Sequence, residues 1–148
     1  MTGDDFTLDH VTVGVTIGSN VLTPEQISEH IGVTANEVKR IGDPRGHTGK
    51  RWEHNTWRIF DRRQGAPDRS AHDLLPRCLD DFLKRLKPIS IKLRKVAHTE
   101  RVEYAEFFIH VTSQFVPGIS LAPEAITLLA DTGLSLDIDV VLYGSEEA

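Results

Sequence analysis

Cysteine is almost absent from this chain of 148 residues. The one thiol, Cys78, excludes an internal disulfide framework, so nothing argues for an oxidising compartment. No run approaches the roughly 18 apolar residues of a membrane helix, and the acidic N-terminus has no apolar centre of the kind that a secretory signal requires. We therefore expect a cytoplasmic protein without membrane contact, of a length that fits one domain.

Lysine and arginine are absent from both ends of the chain. Residues 1–38 carry six acids and residues 102–148 carry eight, and neither segment contains a basic side chain. All 17 Lys and Arg residues lie between 39 and 101, together with eight acids. This asymmetry can mark a surface for an anionic partner, or the acidic and basic segments can neutralise each other within the fold.

Signatures of nucleotide, metal and catalytic sites are also missing. Residues 42–51, GDPRGHTGKR, superficially resemble a phosphate loop, but Pro44 stands where the first glycine should be, and Arg51 replaces the hydroxyl residue after Lys50. The seven histidines include no HExxH motif and no Cys/His pair. We predict no cofactor, no metal site and no catalytic residue.

Periodic apolar residues predict four main strands and a long helical region. Helical spacing over 70–97 indicates a helix that kinks or breaks at Pro88, and short helices are predicted to start at Pro24 and Pro123. Trp57 is expected in the core. The predicted strands cover residues 11–17, 55–61, 102–112 and 136–143.

The order of these elements predicts an α+β fold. We expect two strand–helix–strand units joined by the long central helix, forming a four-stranded, mostly antiparallel sheet with helices packed on one face. Such a sheet would bury every apolar stripe. We assign residues 10–143 to this domain, residues 1–9 to a flexible tail and residues 144–148 to an acidic tail. A monomer and a homodimer both fit the sequence.

The order of the motifs resembles a known protein family. An alternating strand is followed by LTPEQISEHIGV, the loop KRIGDPRG, the strand NTWRIF, a Leu-rich helix, a further strand and LAPEAITLLADTGLSLDIDVVLY. From Val11 to Tyr143 the chain is similar to the bacterial family called domain of unknown function 4279. The resemblance implies a small stand-alone α+β domain, and it brings no established activity or catalytic residue with it.

Residues 39–69, named here the basic segment, contain the candidate binding residues. Nine Lys and Arg side chains and two tryptophans lie in this segment. Such a combination suits contacts with phosphates and bases, but a pI of about 5.8 argues against a dedicated nucleic-acid binder. We predict that this segment meets an acidic protein partner or simply stays solvated, and we place both of these ahead of a nucleic acid. The expected contact residues are Arg45, Lys50, Arg51 and Trp52.

Taken together, these observations favour a non-enzymatic binding or protein-interaction module, and an immunity-like protein is one version of it. The alternative is a small enzyme or ligand-binding protein that uses the last strand, where Asp137 and Asp139 share one face and Glu106 or His110 are the expected neighbours. A further alternative is weak anion or nucleic-acid binding through the basic segment. A concave pocket with convergent polar groups would favour the enzyme, and a flat charged face would favour protein recognition.

Overall fold

The structure, a computed structural model, describes residues 8–144. Most of the two predicted tails therefore lies outside the described residues, and the predicted domain limits stay a prediction. The strands are β1 His10–Ser19, β2 Glu37–Lys39, β3 Asn55–Gln64, β4 Tyr104–Ser113 and β5 Ser135–Leu142. The helices are α1 Pro24–Ile31, α2 Ala71–Leu86, α3 Ser90–Ala97 and α4 Pro123–Thr132, with a 3-10 turn, Lys87–Ile89, between α2 and α3.

The strands of the described residues form one mixed sheet in the order β2-β3-β1-β4-β5. All neighbours are antiparallel except β4 and β5, which are parallel. The α+β class is confirmed, but the sheet has five strands rather than four, because β2 is too short to show an alternating pattern. The two predicted units also differ: β1 and β3 are antiparallel, whereas β4 and β5 are parallel.

β1 is the centre of the sheet and of the core. Its register places Val15 opposite Ile59 of β3 and Phe107 of β4, so one apolar layer runs across three strands. Trp57 of β3 lies in this layer with no exposed surface, which confirms its predicted burial, and its indole N–H donates to Ser28 Oγ of α1 at 2.9 Å. The β1 residues that face the helices are all fully buried: Val11, Val13, Val15 and Ile17.

Local sequence signals set the limits of the helices. Thr23 and Gln26 form a reciprocal capping box at the start of α1, and Gly32 ends the helix with a φ of 84°. The predicted break at Pro88 is confirmed, because the chain changes there from α2 through the 3-10 turn to α3. None of the described helices combines the length and the apolar character that crossing a bilayer requires.

The helices pack on one face of the sheet, but they do not cover all of it. Each contributes to the core, through side chains such as Ile27, Phe82, Leu93 and Leu129. α4 packs mainly against α3, so the helices leave the edge strand β5 largely uncovered. The expectation that every apolar stripe is buried was therefore wrong for β5. Four of its apolar side chains are between 37% and 51% exposed: Leu136, Ile138, Val140 and Leu142.

Asp9, just before β1, connects distant parts of the fold. The buried carboxylate accepts hydrogen bonds from the backbone of Ala71 at 2.7 Å and Gln114 at 3.2 Å, and from the hydroxyls of Ser113 at 3.1 Å and Tyr143 at 2.6 Å. Burial by itself would raise the pKa of Asp9, but these four hydrogen bonds outweigh it and lower the pKa below its usual value. The ends of β4 and β5 are thus tied to the start of α2.

Candidate functional site

Residues 40–54 of the basic segment form a projecting loop between β2 and β3, named here the basic hairpin. Pro44 and Arg51 pair as an antiparallel bridge. Beside this bridge the Gly42 N–H donates to the Trp52 carbonyl at 2.9 Å, and the Trp52 N–H donates to the Asp43 carbonyl at 2.9 Å. These backbone bonds give the loop a defined shape rather than leaving it an irregular connection.

The hairpin is held at its base and exposed at its tip. At the base, the buried side chain of Asn55 accepts from the Ile41 N–H and donates to the Leu22 carbonyl, both at 3.0 Å. At the tip, Gly46 and Gly49 have φ values of 59° and 76°, a conformation that residues with a Cβ rarely adopt. The side chains of the tip are therefore presented to solvent from a fixed base.

The structure brings two of the four predicted contact residues together. The Arg45 guanidinium lies 4.6 Å from the centre of the Trp52 ring, and Lys39 Nζ lies 5.8 Å from it on the same ring system. Such cation–π contacts contribute about 0.5–1 kcal/mol at exposed sites. The other two residues do not join this stack: Arg51 donates to the Gly42 carbonyl at 2.7 Å, and Lys50 is exposed.

Acidic partners are distributed unevenly over the basic segment. Arg40 forms a bidentate pair with Glu25 at 2.6–2.7 Å, and Arg58 pairs with Glu37 at 3.1 Å, so part of the charge is neutralised within the fold. The hydrogen bonds from Arg40 lower the pKa of Glu25. Within residues 8–144, by contrast, no carboxylate pairs with the other three exposed cations of the hairpin, which are Arg45, Lys50 and Arg51.

Two of the three arginines of β3 contact other side chains of the sheet. On the face without helices, the Arg58 guanidinium covers the Phe108 ring at 4.7 Å, and its Nε donates to Thr16 Oγ1 at 3.2 Å. Arg62 repeats this arrangement, donating to Thr12 Oγ1 at 3.2 Å. Arg58 and Arg62 thus make contacts within the sheet that Arg45 and Lys50 of the hairpin do not make.

The carboxylates of the last strand form a flat, open arrangement. Asp137 and Asp139 lie on the face without helices, as their alternation predicted, and Asp137 Oδ2 is 3.3 Å from His110 Nε2. The side chain of Asp137 is 50% exposed, and that of His110 is 40% exposed. Neither aspartate lines any of five clefts on the described surface. The concave site that acid–base catalysis requires is not formed around these residues.

The described residues also lack the chemistry of a metal or thiol site. No group of three or more His, Cys, Asp or Glu side chains in residues 8–144 is arranged to hold a metal ion. Cys78 is buried in the core, and its burial raises the thiol pKa to about 11, so the reactive thiolate is scarce at neutral pH. Cys78 therefore serves as a small packing residue.

Comparison of the sequence with known proteins gave a match to a family model. No curated protein and no solved structure matches the sequence significantly. A family model described as Domain of unknown function (DUF4279) matches residues 2–143, which is nearly the whole chain and agrees with the motif order described above. The protein therefore belongs to the DUF4279 family.

Proposed function

We propose that this protein is a non-enzymatic interaction module of the cytoplasm that binds an acidic protein partner through the basic hairpin. One observation carries the proposal: Arg45, Lys50 and Arg51 are exposed on an ordered hairpin and have no carboxylate partner in residues 8–144. Unpaired cations of this kind steer and orient an acidic partner. An immunity-like protein, which neutralises its partner by occupying it, is one version of this function.

The position of the acids within the sheet supports the same proposal. The hairpin leaves the sheet at the β2–β3 edge, whereas Asp137 and Asp139 lie on β5 at the opposite edge. Four strand spacings of about 4.8 Å separate the two edges by roughly 19 Å, which is more than two Debye lengths of about 8 Å at physiological ionic strength. The acids of β5 therefore do not cancel the field of the hairpin.

The small number of free cations favours a protein partner over a nucleic acid. Tight binding to a duplex commonly rests on about 6–10 phosphate contacts, and the hairpin offers three cations that have no carboxylate partner among residues 8–144. Arg45 and Trp52, which stack on each other, are both residue types that are enriched at protein interfaces. The expected partner surface is acidic, with an apolar patch facing Trp52.

The proposal is tested by capture and cross-linking from an extract of the native source. The parent protein is compared with Lys50→Glu/Arg51→Glu and with a control, Lys84→Glu/Lys87→Glu, which changes the net charge equally on exposed positions of α2 and its end. We expect one acidic protein to be captured by the parent and the control, to be lost with the hairpin variant, and to cross-link through Lys50. Cross-links that avoid Lys50, or equal capture by all three proteins, would contradict the proposal.

A further inference from the structure

A second concentration of positive charge lies far along the sequence from the basic hairpin. A cleft of about 410 Å³ opens between α1 and α3. Its floor is apolar, formed by the buried side chains of Leu22 and Val96, and the half-buried Thr99 adds a hydroxyl group. This volume falls within the range of roughly 300–1,000 Å³ that small-molecule sites occupy. The cleft is therefore large enough for more than a single inorganic ion.

The rim of this cleft is cationic. Lys92 and Lys95 of α3 lie three residues apart on one helical face, Arg101 follows the helix, and His30 comes from the last turn of α1. The part of the chain that the structure describes contributes no Asp or Glu to the lining. In the same range no carboxylate pairs with these side chains, although Arg40, Arg63 and Arg85 elsewhere are all paired.

The backbone that carries these groups is held in place. Ser19, a fully buried residue at the end of β1, donates its hydroxyl to the Arg101 carbonyl. The Glu103 N–H donates to the Gly18 carbonyl at 2.8 Å, and the Thr99 N–H donates to the Val96 carbonyl at 3.1 Å. Because the frame is fixed without a ligand, binding would require the ordering of side chains only, which favours affinity.

Helix dipoles account for some of these cations but not for all of them. Cationic side chains are stabilised at helix C-termini, and a Cβ placed on Gly32, the cap of α1, would lie 3.4 Å from Lys92 Nζ. Lys95 lies in the last turn of α3. Arg101 belongs to neither helix, however, and a dipole does not require an apolar floor between the charges. The arrangement has the character of a binding site.

We propose that this cleft binds a small phosphorylated molecule. The phosphate group contacts Lys92, Lys95 and Arg101, since ammonium and guanidinium groups form short, charge-assisted hydrogen bonds with phosphate oxygens. The organic part of the molecule packs on Leu22 and Val96. This site contains no residue of the basic hairpin, so the proposed anionic partners bind at different places: an acidic protein at the hairpin and a phosphorylated small molecule between α1 and α3.

The probes for this site are pyrophosphate and ADP, titrated into the isotopically labelled full chain at low salt while the backbone amide signals are recorded. We expect saturable shifts at Val96, Thr99 and Arg101. Lys92→Gln/Arg101→Gln should weaken binding at least about tenfold, since two charged hydrogen bonds to the phosphate group are lost. The matched control, Lys84→Gln/Lys87→Gln, should bind like the parent. Lys95→Gln provides a second cleft variant if the double variant folds poorly.

Three results would overturn the inference. The first is the absence of saturable binding up to about 10 mM of either probe. Even a very weak site would bind at that concentration. The second is binding that moves the hairpin signals and is lost in Lys50→Gln/Arg51→Gln, which would assign the anion to the basic hairpin. The third is equal weakening in the cleft variant and its control, which would show general charge screening. Tighter binding of ADP than of pyrophosphate would support a contact with the apolar floor.

Discussion

At the scale of single residues, Asp9 shows how one buried carboxylate can fix the ends of several elements. Its four donors come from the start of α2 and the ends of β4 and β5. Tyr143 is affected in turn, because burial and the hydrogen bond to Asp9 raise the pKa of its hydroxyl to about 12. The partners lie 62 to 134 positions away in the chain, so no local pattern could have predicted them.

Replacing Asp9 by Asn should destabilise the fold in a pH-dependent way. In the variant an amide NH2 group replaces one carboxylate oxygen and faces groups that are themselves donors. The loss of a hydrogen bond to a charged group lowers the free energy of unfolding by about 1.5–3 kcal/mol. Because the folded-state pKa of Asp9 is lowered, its stabilisation is fully present above the unfolded pKa of about 3.9 and is lost as the pH falls through the folded value. Urea unfolding of both proteins between neutral and acidic pH should show a difference that shrinks below about pH 4.

The exposed Asp139, which makes no side-chain hydrogen bond within the described residues, provides the matched control for this experiment. Asp139→Asn should leave the urea midpoint nearly unchanged. A difference between Asp9→Asn and the parent that is the same at every pH would show that the charge of Asp9 contributes nothing to stability.

Trp57 is the residue whose burial the alternating strand pattern predicted. Its side chain is fully buried and hydrogen-bonded to α1, so Trp57→Ala should lower the free energy of unfolding by roughly 3–5 kcal/mol. Trp52→Ala on the hairpin is the control, with an expected loss of about 1 kcal/mol or less. Equal urea midpoints for Trp57→Ala and the parent would contradict the burial of Trp57 and would indicate that it is a surface residue.

At the scale of elements, β1 depends on glycine as much as on its buried valines. On the face without helices, a Cβ at Gly14 would lie 2.4 Å from the Ile59 carbonyl oxygen and 2.6 Å from the Phe108 ring. The missing side chain lets Phe108 of β4 lie across β1, where Arg58 covers it. β1 is therefore packed on both faces of the sheet: its valines contact the helices, and the Phe108 ring covers Gly14 on the opposite face.

Gly14→Ala should therefore destabilise the protein although alanine is a modest change. The added methyl group meets a backbone oxygen that cannot move freely, and overpacking of this kind costs about 1–3 kcal/mol. Gly118→Ala is the control, because a Cβ at that position has no atom within 4 Å. Thermal unfolding measures both variants. A midpoint for Gly14→Ala equal to that of Gly118→Ala would contradict the close packing of β1.

Some features of the helices and strands can be predicted from the sequence, and others cannot. The starts and ends of α1 and α4 were predictable, because proline openings and terminal glycines act within a few residues. The exposure of β5 was not, because it depends on α4 packing against α3 rather than on β5. The cationic cleft was equally out of reach, since His30 is far in sequence from Lys92, and the latter resembles any residue on the polar face of a helix.

At the scale of the whole molecule, the uneven charge of the sequence becomes a spatial pattern. Some basic and acidic side chains neutralise each other, as Arg40 with Glu25 and Arg58 with Glu37. The exposed hairpin cations and the β5 aspartates stay at opposite edges of the sheet. Neutralisation within the fold, one of the two explanations that the sequence allowed, thus holds for the pairs of Arg40 and Arg58, and the exposed hairpin cations are the residues to which the proposed partner would bind. The net charge of −5 therefore does not show that three exposed cations lie together on the hairpin at one edge of the sheet.

The affinity for the captured partner, measured at two salt concentrations, shows whether the basic hairpin is the binding surface. The parent should bind more weakly at high salt, because the hairpin charges are screened. Lys50→Glu/Arg51→Glu should bind at least about tenfold more weakly than the parent at low salt and should respond less to salt, while Lys84→Glu/Lys87→Glu should follow the parent. An unchanged affinity of the hairpin variant together with a flat salt response would exclude the basic hairpin as the binding surface.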